Sequence, residues 1–332
     1  MIREADAWIR DKHYTTEHLE ITRLSGSPLP MVRCYINLTL TDQHRKHLNV
    51  SSNGEGEGPP SSPSPFSLED RLNIETPRKE DLIKLTTLFD EREQPDGIRL
   101  RPRRILIRGC AGVGKTTLCK KIVHDFITEG MWQNLFQRVI WVQLRDLKTM
   151  PKPYTLDGML REIFFWEGPS RDSLSGALAR CMDEDQSRET LFLLDGLDEV
   201  AEMVMERRNG PSHDARRFLQ GLLNRPNVLI TARPQAGILH GCQRPDMDLD
   251  TIGFGETEVE EYIDTVVVDH EDAMAIKTYL RKNQLMQSLV RIPIQLDALC
   301  FTLKDDIHDQ DSTMEEIPRM MTSIYTAITQ KL

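Results

Sequence analysis

Residues 105–118 read Ile-Leu-Ile-Arg-Gly-Cys-Ala-Gly-Val-Gly-Lys-Thr-Thr-Leu. Three apolar residues suited to a buried parallel strand run into Gly-x-x-x-x-Gly-Lys-Thr. Leu118, Ile122, Val123, Phe126 and Ile127 then recur at helical spacing as far as Gly130. Strand, glycine-rich loop and helix in that order form a cradle for a polyphosphate. Gly109, Gly112 and Gly114 let the backbone wrap closely, so that the N–H groups of the loop, Cys110, Ala111 and Val113 included, face negative charge together with the helix N-terminus. Lys115 supplies a point charge to the β/γ-phosphates, and Thr116, followed by Thr117, a hydroxyl for Mg²⁺. The motif therefore predicts binding of a nucleoside triphosphate, ATP or GTP, with Mg²⁺.

Working outward, Thr190 to Val200 reads Thr-Leu-Phe-Leu-Leu-Asp-Gly-Leu-Asp-Glu-Val, an apolar strand ending in carboxylates. Placed at the carboxyl end of a strand neighbouring the loop strand, Asp195 would hold Mg²⁺ through water or Thr116. Two further acids, Asp198 and Glu199, are candidates to orient or deprotonate an attacking water, and the spacing does not choose between them. Thr231-Ala-Arg-Pro follows another apolar run, and a guanidinium at Arg233 just past the sheet edge would reach a γ-phosphate and report its loss.

Strand and helix patterns alternate around these motifs. Val139–Val142, Leu191–Leu194 and Val228–Thr231 read as strands, with a weaker fifth around Leu249 to Ile252, which predicts an α/β fold with a parallel sheet covered by helices. From Glu256 onward only helical spacing remains, as in Tyr262, Ile263 and Val266 and again in Leu296, Leu299 and Leu303. Ahead of the loop, Lys79 to Phe89 carries Leu82, Ile83, Leu85 and Leu88 at helical spacing. Residues 51–67 are almost wholly Gly, Ser, Pro and Glu and read as a flexible linker, in which Ser62-Pro63 and Ser64-Pro65 have the form of proline-directed phosphorylation sites. Before it, only Met31 to Leu38 resembles a strand or brief helix. The expected organisation is a low-order segment 1–50, the linker 51–67, a helical lead-in 68–103, a core 104–254 and a smaller helical lid 255–332.

Composition narrows the function classes. The 332 residues are 39% hydrophobic and 28% charged, as in an ordinary globular chain, and the net charge of -10 disfavours nucleic acid and anionic lipid as partners. Arg99, Arg101, Arg103, Arg104 and Arg108 make a local basic run, read as a solvated approach to the first strand. No apolar run approaches the roughly 18–20 residues needed to cross a bilayer, and the charged N-terminus does not resemble a signal peptide, so a cytoplasmic location is expected. Six cysteines without Cys-x-x-Cys pairs suggest reduced thiols rather than zinc or disulfides, and His44 with His47 reads as a solvated pair.

Taken together, the segments resemble the NACHT family of signal-transducing ATPases, particularly those of filamentous fungi, over about residues 75 to 332. The resemblance rests on Gly109 to Thr117, the Asp195-Gly-Leu-Asp-Glu box, Thr231-Ala-Arg-Pro, Gly253-Phe-Gly-Glu with Val259-Glu-Glu-Tyr-Ile, and Arg291-Ile-Pro-Ile-Gln-Leu. It implies a P-loop NTPase with a five-stranded AAA+-related sheet and a helical lid, ATP or ADP with Mg²⁺ as ligands, Arg233 as a sensor, and self- or hetero-association with NACHT proteins when triphosphate is bound. It also implies that Pro293 lies near the adenine base, whereas the residue by itself equally suits a helix start. The winged-helix and repeat regions usual in the family are not visible before Leu332, so a shortened paralogue or an incomplete gene model is expected.

Overall fold

The computed structural model describes residues 1–24, 28–34, 40–42, 82–93, 97, 99–168, 170–184, 189–200, 212–237 and 240–302. The proposed linker at 51–67 lies outside them. The chain forms two units, the first from residues 1–19, 84–109 and 115–249, the second from 20–83, 110–114 and 250–332.

In the first unit, helix α1 (Ile2–His13) precedes strand β1 (Arg104–Arg108), helix α2 (Lys115–Thr128), strand β2 (Arg138–Gln143), helices α3 (Leu156–Phe164) and α4 (Arg171–Glu184), strand β3 (Thr190–Asp195), helix α5 (Ser212–Leu223), strand β4 (Val228–Ala232) and strand β5 (Met247–Thr251). The strand order is β5-β1-β4-β3-β2, with the β1–β4, β4–β3 and β3–β2 pairs parallel. Every residue of β3 is buried, as are five of six in β2. Such unbroken apolar runs form strands when helices cover both faces. Ile140, Phe192 and Leu194 face a core shared with α3, α4 and α5, while α2 buries Leu118, Cys119, Ile122 and Val123.

The register decides where the chemistry collects. Arg108 pairs with Ala232, Leu194 with Ile230, and Gln143 with Asp195, so β1, β4, β3 and β2 end at one edge. Gly109, Asp195 and Arg233 each stand at or just past that edge, the usual ligand side of a parallel sheet. The expectation that the Asp195 strand neighbours the loop strand is corrected here: β4 lies between β1 and β3. The fifth strand begins at Met247, slightly ahead of the stretch its spacing suggested.

Residues 2–13, placed by their sequence in a low-order segment, form α1 with Ala5 and Ile9 buried. Its anchor is ionic: the Arg138 guanidinium, 8% exposed, donates to Asp6 through Nε (2.9 Å) and Nη2 (3.3 Å), and to Thr190 Oγ1 through Nη1 (3.3 Å). Removing the carboxylate strands a cation among apolar neighbours. Asp6→Ala is therefore expected to cost about 2 kcal/mol, below the value for a wholly buried pair because Asp6 keeps some solvent contact. An unchanged denaturation midpoint would contradict the placement of α1 in the folded unit.

Lys79 to Asp81 lie outside the described residues, and from Leu82 to Phe89 the expected helix is corrected. Leu82–Ile83 is a short strand paired antiparallel with Leu40–Asp42 in the second unit, and Leu85–Thr87 is a 3₁₀ turn. Cross-strand pairing has overridden a helical spacing about two turns long. Within the first unit, Phe89 is buried edge-on against Trp132 and Phe136.

The second unit is chiefly helical: α6 (Glu256–Val266), α7 (His270–Lys282), α8 (Gln284–Leu289) and α9 (Pro293–Thr302). Asp269 caps α7 by accepting from the N–H groups of Glu271 and Asp272. Met31–Cys34 is a single helical turn against α6, the helical alternative of the two its sequence allowed. Asp297 on α9 collects three neighbours. Its Oδ1 accepts from Arg23 Nη2 (2.9 Å) and Tyr262 (3.0 Å), and its Oδ2 from the Leu24 N–H (2.6 Å). Burial, and then Asp297, push the Tyr262 phenol well above its ordinary pKa, so it remains a donor.

Candidate functional site

At the carboxyl edge of the sheet, the buried Asp195 carboxylate is gripped from two sides. Thr116 Oγ1 donates to Oδ2 at 2.7 Å and Thr231 Oγ1 to Oδ1 at 2.5 Å. Thr231 Oγ1 in turn accepts from the Gly196 N–H at 2.9 Å, so its one proton and one of its lone pairs are committed. Thr231 is how a carboxylate two strands from the loop is held in line with it. The sequence motif Thr231-Ala-Arg-Pro points to Arg233 and leaves Thr231 without a role. The signal was present: a hydroxyl at the end of a strand otherwise made of apolar residues. Beneath Asp195 lies Cys119, whose thiol is pushed well above its ordinary pKa by burial and then by the carboxylate, keeping it protonated.

The start of the phosphate loop is fixed by backbone. The Gly109 N–H donates to Ala232 O at 3.1 Å, continuing the β1–β4 ladder by one residue. Lys115 donates from Nζ to Gly109 O at 2.9 Å. Thr116 is exposed and Thr117 half-buried on the first turn of α2. The helix start, the lysine and the two hydroxyls form a set suited to a polyphosphate.

Arg233 and Asp198 meet directly. The carboxylate accepts from the Arg233 N–H at 2.9 Å and from its Nε at 2.9 Å, while the arginine side chain stays 57% exposed. Glu199 is exposed, with its carboxyl folded towards Gly196, where an added Cβ would lie 3.1 Å from Glu199 Cδ. The structure thus distinguishes two acids that their spacing did not. The turn carrying Arg233 is braced by Arg108, which bonds Asp248 in a fork (2.9 and 3.2 Å) and the carbonyls of Pro234 (3.2 Å) and Ala236 (2.6 Å). Its side chain is 12% exposed, so the reading of Arg108 as part of a solvated run is corrected. An Arg at the end of one strand and Asp248 on a neighbouring strand could have signalled this pair.

Cys110 to Gly114 belong to the second unit. Gly112 and Gly114 take φ of +75° and +97°, the region glycine enters without strain. A Cβ at Gly112 would run into Ile294, with Ile292 Cγ2 3.6 Å away, so the loop lies directly under the start of α9. Pro293 is the first residue of α9, between those two isoleucines, and fulfils the helix-start reading. The Phe254 N–H donates to Arg291 O at 2.7 Å, uniting the Gly253-Phe-Gly-Glu and Arg291-Ile-Pro segments.

These residues fit the ligands the sequence implies. A hydroxyl and a carboxylate oxygen within hydrogen-bonding distance supply the few hard ligands Mg²⁺ takes from a protein when phosphates complete its shell. Among the described residues no group of three or more His, Cys, Asp or Glu side chains is arranged to hold a metal alone, and no helix is long and apolar enough to cross a membrane.

A parallel sheet with this loop after β1, an acid after β3 and an arginine after β4 defines a P-loop NTPase of α/β class. The NACHT domain model matches residues 103–270, and the chain belongs to the NACHT family. A domain of unknown function (DUF7068) matches residues 271–316. Human "NACHT, LRR and PYD domains-containing protein 10" is 27% identical over 276 residues, 81% of this chain and 39% of that protein. Its mouse counterpart is 26% identical over 307 residues, 87% of this chain and 39% of that protein. Human "NACHT, LRR and PYD domains-containing protein 12" is 24% identical over 257 residues, 73% of this chain and 23% of that protein. The chain spans less than half the length of each of these relatives.

Proposed function

We propose that this chain binds a nucleoside triphosphate, ATP in preference to GTP, with Mg²⁺, and hydrolyses it slowly as a cytoplasmic signalling switch that controls self-association. The observation carrying this is the Thr116–Asp195–Thr231 clamp beside Lys115. In this reading the loop from Gly109 to Thr117 wraps the phosphates with the N–H groups that follow Gly109, Lys115 adds its charge, Thr116 and Asp195 hold Mg²⁺, and Pro293 borders the base. The nucleotide-bound ion would neutralise developing charge on the transferred phosphoryl group.

The ion pair supports a division of labour between the acids. Asp198 positions Arg233, keeping the guanidinium ready for a γ-phosphate, and Glu199 orients the attacking water. A second reading, a nucleotide-bound module that does not hydrolyse and regulates partner NACHT chains, is favoured by one feature: Asp198 is already occupied by Arg233. Phosphate release under excess ATP separates the two. The switch reading expects slow, Mg²⁺-dependent turnover, lost in Lys115→Ala and cut roughly a hundredfold in Glu199→Gln, as for removal of a general base. Bound nucleotide with no release of phosphate, alone or at associating concentrations, would establish the second reading instead.

A further inference from the structure

Arg108 ends β1, one position before the phosphate loop, a place from which an arginine could serve as a phosphate ligand. Its hydrogen bonds assign it elsewhere. A guanidinium carries five N–H groups. Nε and Nη2 donate to the two oxygens of Asp248 in β5 at 2.9 and 3.2 Å, and Nη1 donates twice, to Pro234 O at 3.2 Å and to Ala236 O at 2.6 Å. Only one N–H is left over, on a side chain that is 12% exposed.

What these bonds fix is the turn after β4. It closes on itself through the Ala236 N–H, which donates to Arg233 O at 3.0 Å. Asp198 grips one end, taking the Arg233 N–H and Nε, while Arg108 grips the other through the carbonyls of Pro234 and Ala236. With Nε committed to Asp198, Arg233 meets a ligand through Nη1 and Nη2 alone. The aim of those two nitrogens depends on where the turn holds the Arg233 backbone.

We propose that Arg108 is a positioning residue for recognition of the γ-phosphate: it acts through Arg233, by anchoring the 233–236 turn to β5 through Asp248. The inference rests on the reading of Arg233 as the group that meets the γ-phosphate. A lysine cannot take the place of Arg108. Its three donors radiate from one nitrogen and do not span a carboxylate fork and two carbonyls together.

The test compares affinities of the full chain for ADP and for a non-hydrolysable ATP analogue, both with Mg²⁺, so that turnover is not required. Arg108→Lys keeps the charge and loses the fork, and the preference for the triphosphate is expected to fall about tenfold, as for loss of one charge-assisted contact, with ADP affinity unchanged. In an Arg233→Ala background the same substitution should move the preference less than about twofold, because the group it positions is gone. A full additional loss in that double variant overturns the proposal. Asp6→Ala weakens the same unit away from the site and should leave the preference alone; an equal fall there reduces Arg108 to a structural role. Without nucleotide, the Ala236 amide should exchange about tenfold faster in Arg108→Lys, and unchanged exchange overturns the anchor whatever the protein binds. Should Arg108→Lys fail to fold, Asp248→Asn, which removes one acceptor of the fork, carries the same expectations. A wild-type chain that binds neither nucleotide overturns the nucleotide reading and this role with it. One that prefers the triphosphate, with that preference unmoved in Arg108→Lys, overturns this role alone.

Discussion

Gly253→Ala is expected to destabilise the protein by about 3 kcal/mol or more. Gly253 has φ of +92°, beyond the left-handed region that even asparagine enters with ease, and strain of this kind costs about 1–3 kcal/mol. The larger part is steric. An added Cβ would overlap Arg291 O and lie 2.9 Å from Arg291 C, backbone atoms that cannot rotate aside. Nor can the backbone recede, since the next residue's N–H is bonded to that same carbonyl at 2.7 Å. The variant must open the contact of Gly253 and Phe254 with Arg291 inside the second unit. Chemical denaturation should show the loss, and exchange protection should fall first around Phe254 and Ile292. Gly237→Ala is the control: an added Cβ there meets nothing within 4 Å, and a change within about 0.5 kcal/mol is expected. Equal stability of the two variants would contradict the packing described for Gly253.

Asp195→Asn is the second large effect, and it falls on the ligand rather than on the fold. Both oxygens of Asp195 accept hydroxyl protons, and an amide can accept on one side only. Thr231 cannot easily adapt, because its oxygen already receives the Gly196 N–H and its proton needs an acceptor. The amide will therefore turn its oxygen to Thr231 and its NH₂ to Thr116. That occupies the Thr116 lone pair Mg²⁺ would use and removes the negative charge as well. Mg²⁺-dependent affinity for ATP should fall at least tenfold, about 1.4 kcal/mol, while unfolding of the free protein changes little. Equal affinity with and without the carboxylate would remove Asp195 from the magnesium site.

Much of the fold was legible because its signals are local. The run Ile105–Ile107, the loop glycines and the helical spacing after Lys115 are contiguous, and β1, loop and α2 appear where they were expected. The α/β class followed from strand runs apolar on both faces. Strand order was not legible in the same way: β4 follows β3 in the chain yet inserts between β3 and β1, and only the assembled sheet reveals Thr231 as the link to Asp195. Helix α1 escaped notice because its stability comes from partners more than 100 residues away, Arg138 and Phe164. Leu82 and Ile83 misled for the same reason, their partners at Leu40 and Thr41 lying beyond a long polar stretch. The pairing of Arg233 with Asp198 separates two acids that stand side by side in the sequence.

Calorimetric titration of the purified chain with ATP, with Mg²⁺ and with EDTA, tests the central claim most directly. One site per chain is expected, tightened by Mg²⁺ and abolished by Lys115→Ala, with saturating ATP at a hundred times Kd adding about 2.7 kcal/mol to stability. A folded protein that shows no heat and no stabilisation at millimolar Mg-ATP would contradict the account.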